Sequence, residues 1–426
     1  MQVREARFAA RDRLWLGVNS IQLVTPAQPI DLDGMRERIR RLAEQEPRLR
    51  YFCRPGGAPD RYRQALDARA ALALGHDIVR PLPVGTGPGT PLEASVSHAL
   101  THDDGESRAI VYVGDGIVGH RLPHALGDGL GASTHLRRLS TGPDPDSTMA
   151  PFPLPSAVRP LPMALAGRYL DDGLMATPRR LLADLRMPRP VPPTGPTGPA
   201  DPAWNPAGAQ VRNDVHVVIR TVGAQALAAL RAWRNQRASG ASTTSVQVAA
   251  IRRGLADVGL IPADDGMFMA FDLRGTLPQG ADGNFVSVPY LEPDDPLDPV
   301  AISAATRAAS ASGLPLVQFT RGAVKVSLSR RTPVPAMLRP ANRRTVAFSH
   351  LRIDRILPAE VTRRPDGVSM VVAAAMPPEV SAMSFMLLEH GGELTVTAVF
   401  CSPFTRREPV EQVLDRFSGD PIGLLG

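Results

Sequence analysis

The chain has 426 residues, 48 of them Lys or Arg against 42 Asp or Glu, for a formal net charge of +6. That length suggests two or three domains or one large two-part unit, and 43% hydrophobic with 21% charged residues excludes wholesale disorder. Lys325 is the single lysine, so nearly all cationic charge is arginine; interleaved with acids, as in residues 36–50, it marks a solvated mixed-sign surface and excludes a nucleic-acid stripe.

Two cysteines, Cys53 and Cys401, cannot build a disulfide framework or a tetrahedral metal site, and no CxxC or HExxH spacing occurs. Arg4, Glu5, Arg7, Arg11, Asp12 and Arg13 interrupt any signal-peptide core. The longest apolar run, Met370 to Met376, is far short of the ~20 residues of a spanning helix. A soluble cytoplasmic protein without metal is expected. Its mild positive potential suits an anionic partner, such as a coenzyme phosphate or an acidic carrier protein.

In chain order, Asn19 to Thr25 reads as a strand. Asp31 or Asp33 then caps a helix to Glu46 that turns Met35, Ile39, Leu42 and Ala43 to one face, with Pro47 beyond its end. Arg108 to Val113 is a β-rich run, and Gly129 to Leu139 a helix. Prolines, 43 in all, concentrate at 151–162 and in RMPRPVPPTGPTGPADPAWNP (186–206), where backbone donors are missing and helix is forbidden. These stretches divide the chain into a first lobe (1–180), a linker (181–206) and a second lobe (207–426).

The second lobe opens with a strand at Val215 to Arg220 and a helix carrying Ala226, Leu230 and Trp233. Ser242 or Thr243 caps a helix bearing Val248, Ile251, Leu255 and Val258. Met267 to Leu273 is a strand, and Asp298-Pro299 opens a helix as N-cap and first-turn proline. Thr345 to Ser349 is another strand; Gly391-Gly392 signals a hairpin between residues 384–389 and 393–400. A final helix from Glu408-Pro409 faces Val410, Val413, Leu414 and Phe417 inward. Strands alternating with helices in both halves imply an α/β or α+β protein of two lobes.

One segment carries candidate chemistry: His120-Arg-Leu-Pro-His124-Ala-Leu-Gly-Asp128-Gly129. A histidine at a strand-to-helix junction can project into a cleft, with a near-neutral pKa suited to general base work. Asp128 opens the following helix, where it can cap amides or pair with an arginine, and the glycines permit close approach. An exposed turn with an aspartate cap accounts for the H-x-x-x-D-G pattern equally well.

The segment PHALGDGLGASTHLRRL (123–139) resembles the active-site motif of the chloramphenicol-acetyltransferase-like acyltransferases, a superfamily that includes wax-ester synthases, polyketide-associated acyltransferases, plant BAHD enzymes and condensation domains. Residues 30–52, ending in Glu46-Pro47-Arg48-Leu49-Arg50, are similar to its first helix and following strand. FMAFDLRGTLP (268–278), GNFVSVPYLEPDDPLDPV (283–300) and TVAFSHLRI (345–353) are similar to later strands. The resemblance spans nearly the whole chain and is strongest over 30–55, 118–140 and 266–300.

The resemblance implies two lobes forming a V-shaped pseudo-dimer crossed by a tunnel. It makes His124 the general base, and Asp128 and Gly129 structural, with Arg50 the first and Arg274 the second choice of partner for Asp128. Ser349 is the candidate oxyanion donor, an ordinary strand serine being the alternative. Asn284 either fixes a turn or faces the tunnel, and His120 and His350 fall near it. The implied activity is acyl transfer from a thioester, acyl-CoA before carrier-bound phosphopantetheine, to a hydroxyl of a lipid or secondary-metabolite acceptor, with no tightly bound cofactor. Carrier-dependent ester or amide formation and a catalytically silent recruitment module are the alternatives. Pro123 in place of the paired histidine of many relatives weakens the peptide-bond-forming reading, and the D-F-G-W-G signature of the BAHD branch is absent.

Overall fold

A computed structural model describes the chain except residues 59, 85–88, 102–107, 115, 142–182, 185–214, 275–283, 330–343, 363–368, 378 and 403. Its strands are β1 (Val3–Arg7), β2 (Asn19–Val24), β3 (Cys53–Pro55), β4 (Arg61–Ala65), β5 (Val79–Pro81), β6 (Ile110–Gly114), β7 (Ile117–Pro123) and β8 (Val215–Val222). They continue as β9 (Met267–Met269), β10 (Phe271–Asp272), β11 (Val286–Ser287), β12 (Tyr290–Leu291), β13 (Thr345–Arg352), β14 (Val371–Ala375), β15 (Ala382–His390) and β16 (Glu393–Cys401). Two large sheets result, a five-stranded one ordered β14-β2-β7-β6-β5 and a six-stranded one ordered β12-β9-β13-β15-β16-β8. The expected two-lobed α/β architecture holds. The linker expected at 181–206 lies outside the described residues except for 183–184.

Local chemistry accounts for the elements around the site. Asp31 accepts from the Gly34 amide at 2.7 Å and starts the Leu32–Gln45 helix, whose buried residues are Met35, Ile39, Leu42 and Ala43. Ser242 caps the Thr243–Asp257 helix by accepting from Ser245 N at 3.0 Å, and Asp298 accepts from the amides of Val300 and Ala301. The β15–β16 hairpin turns at Gly391 and Gly392, both at positive φ (59° and 84°), the backbone that a two-residue turn of this hand requires. The expected strand Met267 to Leu273 is broken at Ala270, because β9 pairs with β12 and β13 whereas β10 pairs only with β11.

The lobes are not consecutive stretches of chain. β14 comes from the second half yet forms the edge of the first lobe's sheet, antiparallel to β2 with Val371 opposite Val24. Ile353 and Leu357 join the first lobe's core beside Leu122 and Leu136. A third core is shared, with Ile21, Leu23, Val96 and Leu100 packed with Val215, Val217 and Val399. Across this joint the buried Glu93 of the Pro91–Thr101 helix accepts from Arg220 at 2.8 Å and Arg407 at 2.6 Å. Such a joint fixes the angle between lobes and hence the geometry of anything bound between them.

The ends of β13 and β15 carry a second ion cluster. Glu389 accepts from Arg352 at 2.8 Å and from Gln247 at 3.2 Å, with His350 Nε2 at 3.4 Å. Burial pushes the Glu389 carboxyl up, but His350, Arg352 and Gln247 outweigh it and hold the pKa at about 2. A depressed carboxylate contributes stability that is complete above its unfolded value, near 4.5, and is lost as pH falls toward about 2. The denaturant midpoint of Glu389→Gln is therefore expected to lie below wild type at neutral pH, with the gap closing between pH 4.5 and 2.

Among the described residues no single helix is long and apolar enough to cross a membrane; the Pro299–Ser312 and Leu314–Leu328 helices reach that length only as a pair bent by 58°.

Candidate active site

β7 ends at Pro123, and His124 begins a single 3₁₀ turn, His124–Leu126, before the Gly129–Thr141 helix. The main chain of His124 is held on both sides. Its amide donates to the Val18 carbonyl at 2.7 Å, and its carbonyl accepts from Asn284 Nδ2 at 2.6 Å. The residue is 8% exposed. Nδ1 is buried without an aligned hydrogen bond, which leaves Nε2 as the nitrogen for a reactant. Burial lowers the imidazole pKa, opposed chiefly by the negative charge of Asp128, so the ring is neutral at pH 7 and able to accept a proton.

Asp128 is fully buried and its acceptor sites are occupied. Arg274 Nη2 donates to both carboxylate oxygens, at 2.8 and 2.7 Å. The Phe285 amide donates to Oδ2 at 3.1 Å, and the Gly131 amide to Oδ1 at 3.2 Å, which caps the helix. Such a carboxylate is a structural clamp, tying the motif to the Asn284–Phe285 segment of the second half. Of the two arginines expected beside it, the second, Arg274, is the partner. Arg50, the first choice, is buried beside the motif: its Nη1 lies 2.9 Å from where a Cβ on Gly127 would stand, and its charge acts on Asp12. The motif's own glycine at 127 leaves the space that Arg50 fills.

Asn284 is fully buried and does more than fix a turn. Besides the His124 carbonyl, its backbone and side-chain nitrogens each donate to Asp12 Oδ1 at 3.2 Å. Burial raises the Asp12 pKa, against Arg11, Arg50 and the Asn284 donors. Next in sequence, Phe285 has the Arg11 guanidinium 4.2 Å from its ring centroid and that of Arg274 at 5.9 Å. Two buried carboxylates, Asp12 and Asp128, thus grip consecutive residues of one strand-leading segment and hold it under His124.

The second lobe meets the motif at Gly129. A Cβ there would stand 2.8 Å from Leu351 Cδ1, so the glycine leaves room for the leucine of β13 in its present rotamer. Ser349 lies two residues before Leu351 on the same face of β13, opposite Met386 in register, and is half-buried with no hydrogen bond to its hydroxyl among the described residues. His350 points to the other face, toward Glu389, and His120 turns inside the first lobe, with Nδ1 2.6 Å from Tyr51 Oη. Burial keeps His120 neutral. Neither stands at the motif.

Sequence reasoning missed Trp15, whose indole stacks on the His124 ring with centroids 4.2 Å apart and planes 17° from parallel. It also missed Asp12, because Arg11 to Trp15 was read only as charge that breaks a leader; one tryptophan set among alternating charges was the available signal. The buried cysteines offer no rival nucleophile: burial pushes the Cys53 thiol up to about 12, and Cys401 is also buried. A cavity of about 510 Å³ at the Gly392 hairpin is lined by Arg231, Arg234 and Arg352, whose charge is balanced by Asp354, Glu389 and Glu393.

The sequence matches no protein-family model and no curated protein. Solved structures do match over nearly the whole chain. The trichothecene 15-O-acetyltransferase of Fusarium sporotrichioides is 13% identical with a TM-score of 0.60, covering 98% of this chain and 94% of that one. Polyketide synthase associated protein 5 of Mycobacterium tuberculosis is 16% identical, TM-score 0.53, covering 97% and 98%. A cyclization-docking bidomain of the EpoB nonribosomal peptide synthetase from Sorangium cellulosum is 13% identical, TM-score 0.55, covering 99% and 84%. The chain has the fold that these three structures share.

Proposed function

We propose that this chain is an acyltransferase that moves an acyl group from a thioester, acyl-CoA in preference to a carrier-bound thioester, to the hydroxyl of a small lipid or secondary-metabolite acceptor. The observation that supports it is His124: neutral, main-chain clamped and with Nδ1 buried, beside an aspartate whose acceptor sites are already occupied. Nε2 takes the hydroxyl proton as the oxygen attacks the thioester carbonyl. The new C–O bond forms, the C–S bond breaks, and the imidazolium returns the proton to the leaving thiolate. Ser349, on the β13 face that meets Gly129, is the oxyanion donor in this reading. The tunnel between the lobes, with donor and acceptor entering from opposite faces, belongs to the same proposal.

Incubation with a panel of acyl-CoAs and alcohols tests it. Free CoA is expected to appear in step with ester product, by thiol titration and intact-mass detection. Thiol release only from acyl-carrier substrates assigns the donor to a carrier protein, and release from neither class overturns the enzymatic reading.

A further inference from the structure

A base that works through one ring nitrogen needs its ring held, and the polar neighbours of the His124 ring are the Asn284 side chain and the Asp128 carboxylate. Nδ1 lacks an aligned hydrogen bond. Asp128, the nearby carboxylate, is committed to Arg274 and to two amides. The bonds from the His124 amide and carbonyl to Val18 and Asn284 fix the main chain and do not themselves set the ring plane. What touches the ring is a face: the Trp15 indole, at 4.2 Å and 17°. That indole is held by the turn that also grips the backbone of His124. Trp15 N donates to Asp12 O at 3.0 Å, Val18 N donates to Trp15 O at 3.2 Å, and Val18 O receives the His124 amide. Trp15 Nε1 is buried without a hydrogen-bond partner, so no polar bond of its own dictates its pose; stacking and packing against the shared apolar core do.

From this geometry, and resting on the acyl-transfer reading above, we propose that Trp15 is a positioning residue for His124, whose indole face fixes the plane of the imidazole and stabilises the imidazolium formed when Nε2 takes the acceptor proton. The other charged or polar groups facing the ring are Asp128 at the start of the following helix, Asn284 from the second half, and Asp12 behind it. Arg11 and Arg50 neighbour Asp12, and Arg274 backs Asp128. A cation formed in a buried site benefits from an electron-rich face, because an indole attracts cations most strongly where water is excluded.

The test compares Trp15→Met, which keeps apolar volume, with Trp15→Phe, which keeps a π face. Trp15→Met is expected to lower kcat about tenfold, with KM for the acyl donor changed less than about twofold. It also moves the acid limb of kcat/KM to lower pH, because the protonated ring has lost its partner. Trp15→Phe recovers most of both effects. Without substrate, the ¹⁵N signals of His124, assigned by their loss in His124→Gln, titrate at lower pH in Trp15→Met than in wild type. An unchanged titration and limb in Trp15→Met, a shift to higher pH, or a loss of activity that phenylalanine does not rescue overturns the proposal. Should the methionine variant fail to fold, the smaller shift expected in Trp15→Phe decides alone. Full activity in His124→Gln overturns the assignment of His124 as the base instead, and thiol release from neither donor class overturns the acyl-transfer reading, whereas the substrate-free titration still reports on the stack.

Discussion

His124→Ala is expected to lower turnover by at least about a hundredfold, with thermal unfolding close to wild type. A positioned general base contributes about 10²–10⁴-fold, and the lower bound applies because bound donor and acceptor still profit from proximity in its absence. The fold survives because the anchors of residue 124 are its amide and carbonyl, bonded to Val18 and Asn284, and alanine keeps both. What is lost is the stack on Trp15 and the ring's contact with the Asn284 side chain. In wild type, kcat/KM is expected to fall on the acid side with a midpoint below 6.5, since burial lowers the His124 pKa and protonation removes the base. The alanine variant lacks that limb. Activity near wild type, or an alanine profile with the same acid limb, shows that the proton goes elsewhere.

The ring plane and the clamp beneath it were unequally legible in the sequence. Asp31, Ser242, Asp298 and Gly391-Gly392 act on neighbours a few residues away, and each specifies its local structure as expected. The helix periodicities did likewise, since burial of Met35, Ile39, Leu42 and Ala43 follows from spacing alone. What escaped is pairing across the chain. Nothing near Val371 reveals that its strand belongs beside Val24, and nothing near Asp128 selects Arg274 over Arg50. An apolar run such as 370–376 suits any buried strand position, so its sheet is decided by packing of the whole molecule. Trp15 illustrates the same limit, because its role depends on a turn-to-strand contact spanning more than a hundred residues.

That long-range stitching underlies the second large effect. Asp128→Asn is expected to destabilise the protein by roughly 3–5 kcal/mol and to lower activity together with stability. The aspartate is fully buried, and its charge compensates Arg274, whose side chain is 19% exposed. Asparagine keeps one acceptor for the Phe285 or Gly131 amide, but its NH₂ group faces the guanidinium, which loses its buried carboxylate and keeps the half-exposed Asp272 at 3.2 Å. Two segments 146 residues apart then lose their join, and the Asn284 contact with the His124 carbonyl loosens with it. Arg274→Met is expected to be at least as harmful, since it strands the buried carboxylate. The double variant Asp128→Asn/Arg274→Met should recover part of the loss, because no uncompensated charge remains. Denaturant midpoints and turnover for the three variants measure this cycle. A large activity loss in Asp128→Asn at wild-type stability, with no recovery in the double variant, would make the aspartate a participant in the reaction and not a clamp.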